Sequence, residues 1–451
     1  MSSESPRAGE DASRGKRLLV FASKLGYQTR GFAEAAKRLG IALRFVTDRC
    51  HQLDDPWGDR AIAAHFEEPE SAAANVMAAM SGLEVDGVIA LGDRPTVAAA
   101  YAARGLGVWH NHPAAVEACR SKERMRQVFR EAGLRVPWFR ALPLRPVPEP
   151  ALAGIGFPCV VKPISLSAST GVMRANSREE FLEAAERLRK LLESPEVRAT
   201  REANLDLMLV EGYIPGKEVA VEGLLTEGTL RVLAIFDKPD PLEGPYFEET
   251  IYTTPSRLDE ATKRDIEVCA RAAVQALGLV HGPVHAEFRV NEGGVWPLEV
   301  AARPIGGLCA RALRFQGETQ ATIGLEELIL RHAVGLPGAE WPRESPASGV
   351  MMIPVPESGV LQEVKGEEAA RSTPGITSVE ITARLRDFVA AWPEGSSYLG
   401  FIFARGESAQ AVDDSLRAAH AKLGFTLAPR LAVEHPAARS ATRELSGYRD
   451  D

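Results

Sequence analysis

The sequence predicts a multidomain chain of mixed α/β and α+β class, with a Rossmann-like parallel sheet at its N-terminus followed by regions built on paired strands. Three observations carry this. Short apolar runs alternate with helical ones from residue 16 to about 118, the pattern of βαβ units. After Ser121 that alternation stops, and apolar strands joined by glycine-rich turns take over. At 451 residues the chain exceeds what one hydrophobic core supports. The length suggests about three domains, the first an N-terminal α/β domain over 16–118. Polar stretches at 1–15 and 431–451 read as loose tails.

A formal net charge of −8 and a pI near 5.8 argue against a general nucleic-acid binder. No apolar run approaches the roughly 20 residues needed to span a bilayer, and the polar start lacks the apolar centre of a signal peptide. The five cysteines, Cys50, Cys119, Cys159, Cys269 and Cys309, show no C-x-x-C spacing and read as reduced residues of a cytoplasmic protein. The sequence contains no H-E-x-x-H, no Walker A loop and no G-x-G-x-x-G, which disfavours a zinc protease, a P-loop nucleotidase and a standard dinucleotide site.

Taken in order, the N-terminal elements are strands over 18–22, 43–46 and 88–91 with helices over 32–39 and 97–103. Asp93, in Gly92-Asp93-Arg94-Pro95, reads as a helix N-cap. Loops at the carboxyl ends of parallel strands bind ligands, so Asp93 and residues 26–30 are substrate-site candidates as well as ordinary loop residues. Ser121 caps a helix stopped by Gly133. A buried strand over 156–163 ends in Lys162 and Pro163, and the loop 164–172 is rich in hydroxyls. That loop is either a flexible linker or a cradle for phosphate oxygens beside a lysine. Ser177 and Glu180 form a capping box for a helix through Leu192.

Residues 207–222 read as strand, turn, strand. The kink at 212–216 would expose backbone groups able to read an adenine edge, and Glu218 would accept from ribose hydroxyls. A bare hairpin is the plain alternative. A helix over 259–277 ends at Gly278. Next comes a hairpin over 282–307 whose strands flank the turn formers Asn291-Glu292-Gly293-Gly294. Each strand carries one carboxylate, Glu287 and Glu299. With an odd loop or a bulge the two sit opposite, about 5 Å apart at Cβ, and their repulsion is relieved by a proton or a cation. An even loop without a bulge puts them on opposite faces. Oxygen ligands of this kind suit Mg²⁺; two solvated surface glutamates are the alternative. Arg303-Pro304-Ile305-Gly306-Gly307 precedes a further helix, so a cation and a helix N-terminus follow the glutamates.

Lys122, the strand-end Lys162 with its hydroxyl loop, the E-G-Y-I-P-G-K-E hinge and two glutamates twelve residues apart closing on Arg303 stand in an order that resembles the ATP-grasp superfamily over 18–332. The resemblance implies a two-lobed ATP-grasp core over 119–335, its ATP-binding lobe over about 119–215, behind a pre-ATP-grasp sheet, and a small C-terminal lobe over 336–430. It implies that Lys122 and Lys162 hold the phosphates of ATP, and that a flap over 165–171, with Ser167, Ser169, Thr170 and Gly171, covers them. Glu211, Gly212, Tyr213 and Ile214 would face adenine and Glu218 ribose. Glu287 and Glu299 would hold Mg²⁺, with Mn²⁺ possible, and Arg303 would steady an acyl phosphate. Many members carry asparagine two residues after the second metal glutamate; here Ala301 stands there. The E-V-A-A-R version is similar to the L-amino acid ligases that make dipeptides, in which the position of Glu249 lies near the substrate amine. The stretch 347–429 is similar to their C-terminal lobe.

The activity so implied is ATP-dependent joining of a carboxylate and an amine, both small molecules, with ADP and phosphate released and Glu249 as the base. A carboxylating or formate-using ATP-grasp enzyme and a nucleotide-binding module without chemistry are the alternatives. A homodimer is the default expectation for assembly.

Overall fold

The computed structural model describes residues 15–23, 27–48, 61–147, 149–317 and 321–429. Residues 1–14 of the tail expected over 1–15, the whole of that expected over 431–451, Cys50 and Gly26 lie outside the described residues. The other four cysteines are free and buried.

The N-terminal alternation forms a parallel four-stranded sheet. Arg17–Ala22 lies between Ala42–Thr47 and Gly87–Leu91, and Ile62–Ala63 forms the far edge. These strands are apolar on both faces because both are covered. Leu18 and Val20 face one cluster, and Leu19 and Phe21 face another with the helices Pro69–Ala79 and Thr96–Leu106. The chain leaves Arg17–Ala22 to one side and returns at Gly87–Leu91 on the other. The crevice beyond the carboxyl ends of these two strands is therefore a topological switch point.

Residues 207–222 are not a hairpin. Leu207–Gly212 belongs to a four-stranded sheet with Phe139–Pro143, Cys159–Pro163 and Met173–Ala175, whereas Lys217–Thr226 opens a separate eight-stranded sheet. The turn at 213–216 is the joint between two sheets. The helix Arg178–Leu192 packs on the smaller sheet through Phe181, Ala185 and Leu188. Its cap differs from a standard box: Ser177 accepts from Glu180 N, but Glu180 reaches back to Asn176 rather than Ser177.

The eight-stranded sheet runs Gly294–Ala301, Gly282–Asn291, Lys217–Thr226, Thr229–Asp237, Ile251–Thr254, Ala347–Ile353, Gly400–Gly406 and Ile376–Ile381. Its neighbouring strands are antiparallel, so side chains alternate between two faces. Val219, Val221 and Phe288 pack under the helix Glu260–Leu277, which Asp259 caps and Gly278 ends at φ +76°. Ala220, Leu224 and Phe236 face the other way, toward the N-terminal sheet. Strands from the last third of the chain thus extend the central sheet.

Two expected helical features differ. Asp93 is not an N-cap, because its side chain goes to Arg303. After Gly307 the chain makes only a four-residue 3-10 turn, Cys309–Ala312, before a short strand. A turn of that length lacks the aligned peptides of a helix N-terminus.

The N-terminal sheet is sealed to the central one by imidazoles. His281 and His332 stack at 4.4 Å between centroids, and His110 shares their small cavity. Burial pushes His110 to about 4, His281 to about 3 and His332 to about 4, so all three are neutral when folded. Unfolded histidines titrate near 6.5. The stabilisation is therefore complete above that value and is lost as pH falls toward 4, by on the order of 1 kcal/mol per histidine at pH 5.5. We expect a His281→Gln/His332→Gln variant to gain Tm relative to wild type as pH falls from 7.5 to 5.5, by differential scanning fluorimetry, because titrations common to both proteins cancel in that difference.

Candidate active site

The strand Gly282–Asn291 builds the site by alternation. Ala286 and Phe288 point into the core, while His285, Glu287 and Arg289 share the other face. Across the ladder His285 opposes Glu222, Glu287 opposes Ala220 and Arg289 opposes Glu218. His285 and Arg289 meet these partners at 3.1 and 3.0 Å, and the small Ala220 leaves space beside Glu287.

The parity question of the hairpin is settled by a bulge. The turn holds two residues, Glu292 and Gly293, not four: Asn291 pairs with Gly294, and Phe288 with Pro297. That even register would set Glu287 against Leu298. Leu298 is instead the extra residue, so Glu287 pairs with Glu299 and both line one cavity. The bulge is pinned from outside the sheet. Arg126, fully buried, donates from Nη1 to the Leu298 carbonyl at 2.7 Å and makes two bonds to Glu211. Ala301 stands opposite His285 and lines the same cavity.

Lys122 opens the helix Lys122–Glu131, which Ser121 caps. Its ammonium donates to the Leu166 carbonyl and lies 3.5 Å from Glu299. Lys162 is in short contact with Glu211. Burial lowers Lys162 to about 8 against the pull of Glu211, leaving a cation whose charge depends on its neighbours. The Glu211 side chain thus serves the two basic groups Lys162 and Arg126. Gly212, Tyr213 and Ile214 line the cavity next to it.

Lys238 lies among three carboxylates, at 2.7 Å from Glu218 and 3.1 Å from Glu287, with a short contact to Glu249. Burial and Glu287 push Glu249 up to about 7 although Lys238 opposes the shift. Burial would raise Glu287 too, but Lys238 and His285 hold it well below the usual carboxylate range. His285 rises to about 9 against its burial because Glu222 and Glu287 flank it. Arg303 makes a two-pronged pair with Asp93 at 2.9 Å for each prong, reaching from the central sheet to the switch point of the N-terminal one. The guanidinium holds Asp93 at about 2 despite burial.

These groups share a cavity of about 540 Å³, within the range for a small-molecule site. It brings together Lys122, Lys162, Ser167, Ser169, Glu211, Gly212, Tyr213, Ile214, Glu218, Glu249, Glu287, Glu299 and Arg303. Thr170 and Gly171 are not in its lining. Thr170 Oγ1 donates to the Gly395 carbonyl and Gly171 N to that of Pro393, so both fasten the flap to the C-terminal region. A Cβ on Gly171 would sit 2.8 Å from Leu188, which with φ +71° accounts for the glycine. Trp392 Nε1 donates to the Ala168 carbonyl at 3.2 Å, and Ser396, Ser397 and Tyr398 close that side of the cavity.

Four site residues were not singled out in the sequence. Lys238 follows an apolar strand just as Lys162 ends one, so the same rule would have found it. His285 and Arg289 flank Glu287 at period two. Arg126 gives no sequence signal, since arginine on a helix is ordinarily exposed.

Three family models match in chain order: an ATP-grasp N-terminal domain over 33–108, an ATP-grasp domain over 155–312 and an L-amino acid ligase C-terminal domain 2 over 351–428. Uncharacterized protein y4rH of Sinorhizobium fredii (strain NBRC 101917 / NGR234) is 26% identical over 70% of this chain and 63% of its own length. An alanine–anticapsin ligase of Bacillus subtilis (strain 168) is 32% identical over 45% of this chain and 44% of its own. The chain thus spans less than two thirds of either relative. The crystal structure of L-amino acid ligase from Bacillus licheniformis superposes with a TM-score of 0.74 at 26% identity, covering 92% of this chain and 99% of that one. With its N-terminal and core domains and this C-terminal domain, the chain belongs to the ATP-grasp superfamily.

Proposed function

We propose that the protein is an ATP-dependent ligase that joins a carboxylate to an amine through an acyl phosphate, with an amino acid among its substrates and ADP and phosphate as products. The observation that carries this reading is the bulge at Leu298, which sets Glu287 and Glu299 on one cavity face within reach of Lys122, Lys162 and Arg303. The alanine–anticapsin ligase and the L-amino acid ligase are similar proteins whose names carry the same class of reaction.

ATP would lie between the two sheets, its base beside Gly212, Tyr213 and Ile214 and its ribose at Glu218. The two oxygens of Glu218 already meet Lys238 and Arg289, and each keeps a lone pair for a hydroxyl. Lys122 and Lys162 would neutralise phosphate charge. Glu287 and Glu299 fit Mg²⁺: they are hard oxygen donors on one face, partly open to the cavity, and Glu299 is 27% exposed. When bound, Mg²⁺ draws charge from the transferring phosphoryl group. A carboxylate oxygen of the first substrate attacks the γ-phosphorus, and ADP leaves. Arg303, fixed by Asp93, would orient the acyl phosphate. The amine then attacks its carbonyl carbon, phosphate departs, and Glu249, with a pKa near neutrality, would take the proton. The flap and the segment 392–398 would keep water out. The four described cysteines are free and buried, which suits a cytoplasmic setting.

The test is a pairwise amino acid screen with phosphate detection and mass spectrometry of products. ADP and phosphate release that requires both an acid and an amine, with one amide formed per ADP, supports the ligase. Release with bicarbonate or formate alone favours a carboxylating or formate-using enzyme. ATP binding without turnover across the panel favours a binding module.

A further inference from the structure

Lys238 directly follows the strand Thr229–Asp237, and its side chain is 3% exposed. An ammonium has three N–H donors, and here three carboxylates receive them. Glu218 belongs to Lys217–Thr226, Glu287 to Gly282–Asn291, and Glu249 to the loop before Ile251–Thr254. Two of these acids are held from the other side as well. Glu218 Oε2 accepts from Arg289 Nε at 3.0 Å, and Glu249 Oε2 accepts from the Tyr252 hydroxyl at 2.7 Å. Oxygens of all three carboxylates come within 4.8 Å of one another, so without a central cation they repel.

We propose that Lys238 is a positioning residue that couples the nucleotide side of the site to its amine side: one ammonium fixes Glu218, Glu249 and Glu287 relative to each other. The roles of the three acids rest on the ligase reading; the charge arrangement does not. Glu218 and Glu287 are also held by the strand ladder, whereas Glu249 is in a loop. Loss of Lys238 therefore releases Glu249 first. Activation of the acid continues, but capture by the amine slows, and water hydrolyses the waiting acyl phosphate to the acid and phosphate. ADP then accumulates without amide.

The experiment compares wild type, Lys238→Met and Lys238→Arg. Wild type is expected to release about one ADP per amide. Lys238→Met should raise that ratio about fivefold or more and the KM for the amine about tenfold, with a smaller change in the KM for the acid. Lys238→Arg keeps the charge and should recover part of the coupling. A ratio and an amine KM unchanged in Lys238→Met overturn the proposal.

A nucleotide-free measurement separates this from the ligase reading. Lys238→Met leaves three acids without their cation, so millimolar Mn²⁺ should raise its Tm by about 3 °C or more. That rise is counted over the wild-type shift, to which the Glu287 and Glu299 pair contributes, and it should fall back to the wild-type value in Lys238→Met/Glu249→Gln. A folded Lys238→Met whose Mn²⁺-dependent shift does not exceed that of wild type overturns the charge argument, even if wild type proves to be no ligase. Should Lys238→Met alone fail to fold, the double variant, relieved of one charge, is expected to fold; its failure also contradicts the proposal.

Discussion

Glu299→Gln is expected to lower turnover by about a thousandfold or more while leaving the melting profile within about 2 °C of wild type. The substitution preserves shape and replaces a carboxylate oxygen with an amide. Glu299 lies at the cavity surface, 27% exposed, and the buried Lys122 3.5 Å away keeps the Leu166 carbonyl as an acceptor and would face the amide oxygen of the glutamine. What it removes is one of two facing anions able to hold a divalent ion against phosphate oxygens. A loss of several kcal/mol in stabilisation of the transferring group corresponds to that rate. Near wild-type turnover with a normal melting profile would refute the assignment of Glu299 to the metal. Turnover lost together with the melting transition would instead make Glu299 a structural residue.

Arg126→Leu is expected to be the more damaging change to the fold, at about 3–5 kcal/mol, because it removes three buried hydrogen bonds and leaves Glu211 Oε2 and the Leu298 carbonyl without the arginine that serves them. Arg126 is fully buried and makes three hydrogen bonds, two to Glu211 and one to the Leu298 carbonyl. Removing it leaves Glu211 with Lys162 as its remaining ion-pair partner and frees the bulge that sets Glu299 opposite Glu287. Stability and the site should fail together, with Tm lower by about 5–15 °C and Mg²⁺-dependent activity lost even at temperatures where the variant is folded. A variant as stable as wild type would show that burial of this pair is better compensated than the hydrogen bonds indicate.

Much of this architecture was legible in the sequence because it rests on periodicity. The alternation after Lys16 became a parallel sheet, and the apolar runs on either side of Gly293 became a hairpin. Gly278 ended a helix where the left-handed conformation favours glycine. Lys122, Lys162, Glu218, Glu249, Glu287, Glu299 and Arg303 converge on one cavity although 181 positions separate the first from the last. What could not be read were features set by tertiary contact. The bulge at Leu298 depends on Arg126, about 170 residues earlier, which no local pattern connects to it. Residues 207–222 resemble a hairpin locally, yet the strands join different sheets. Thr170 and Gly171 carry phosphate-loop composition, but their hydrogen bonds run to the chain around 393–395. The turn after Gly307 was overread as a helix because small apolar residues there also suit a 3-10 turn.

The central claim is that a substrate carboxylate is phosphorylated before an amine captures it. The measurement that tests it most directly is transfer of ¹⁸O from a substrate labelled in both carboxylate oxygens, followed by mass spectrometry of the products. The mechanism predicts one ¹⁸O in the released phosphate and one in the amide. Amide formation with unlabelled phosphate, or with the label found in AMP, would contradict it.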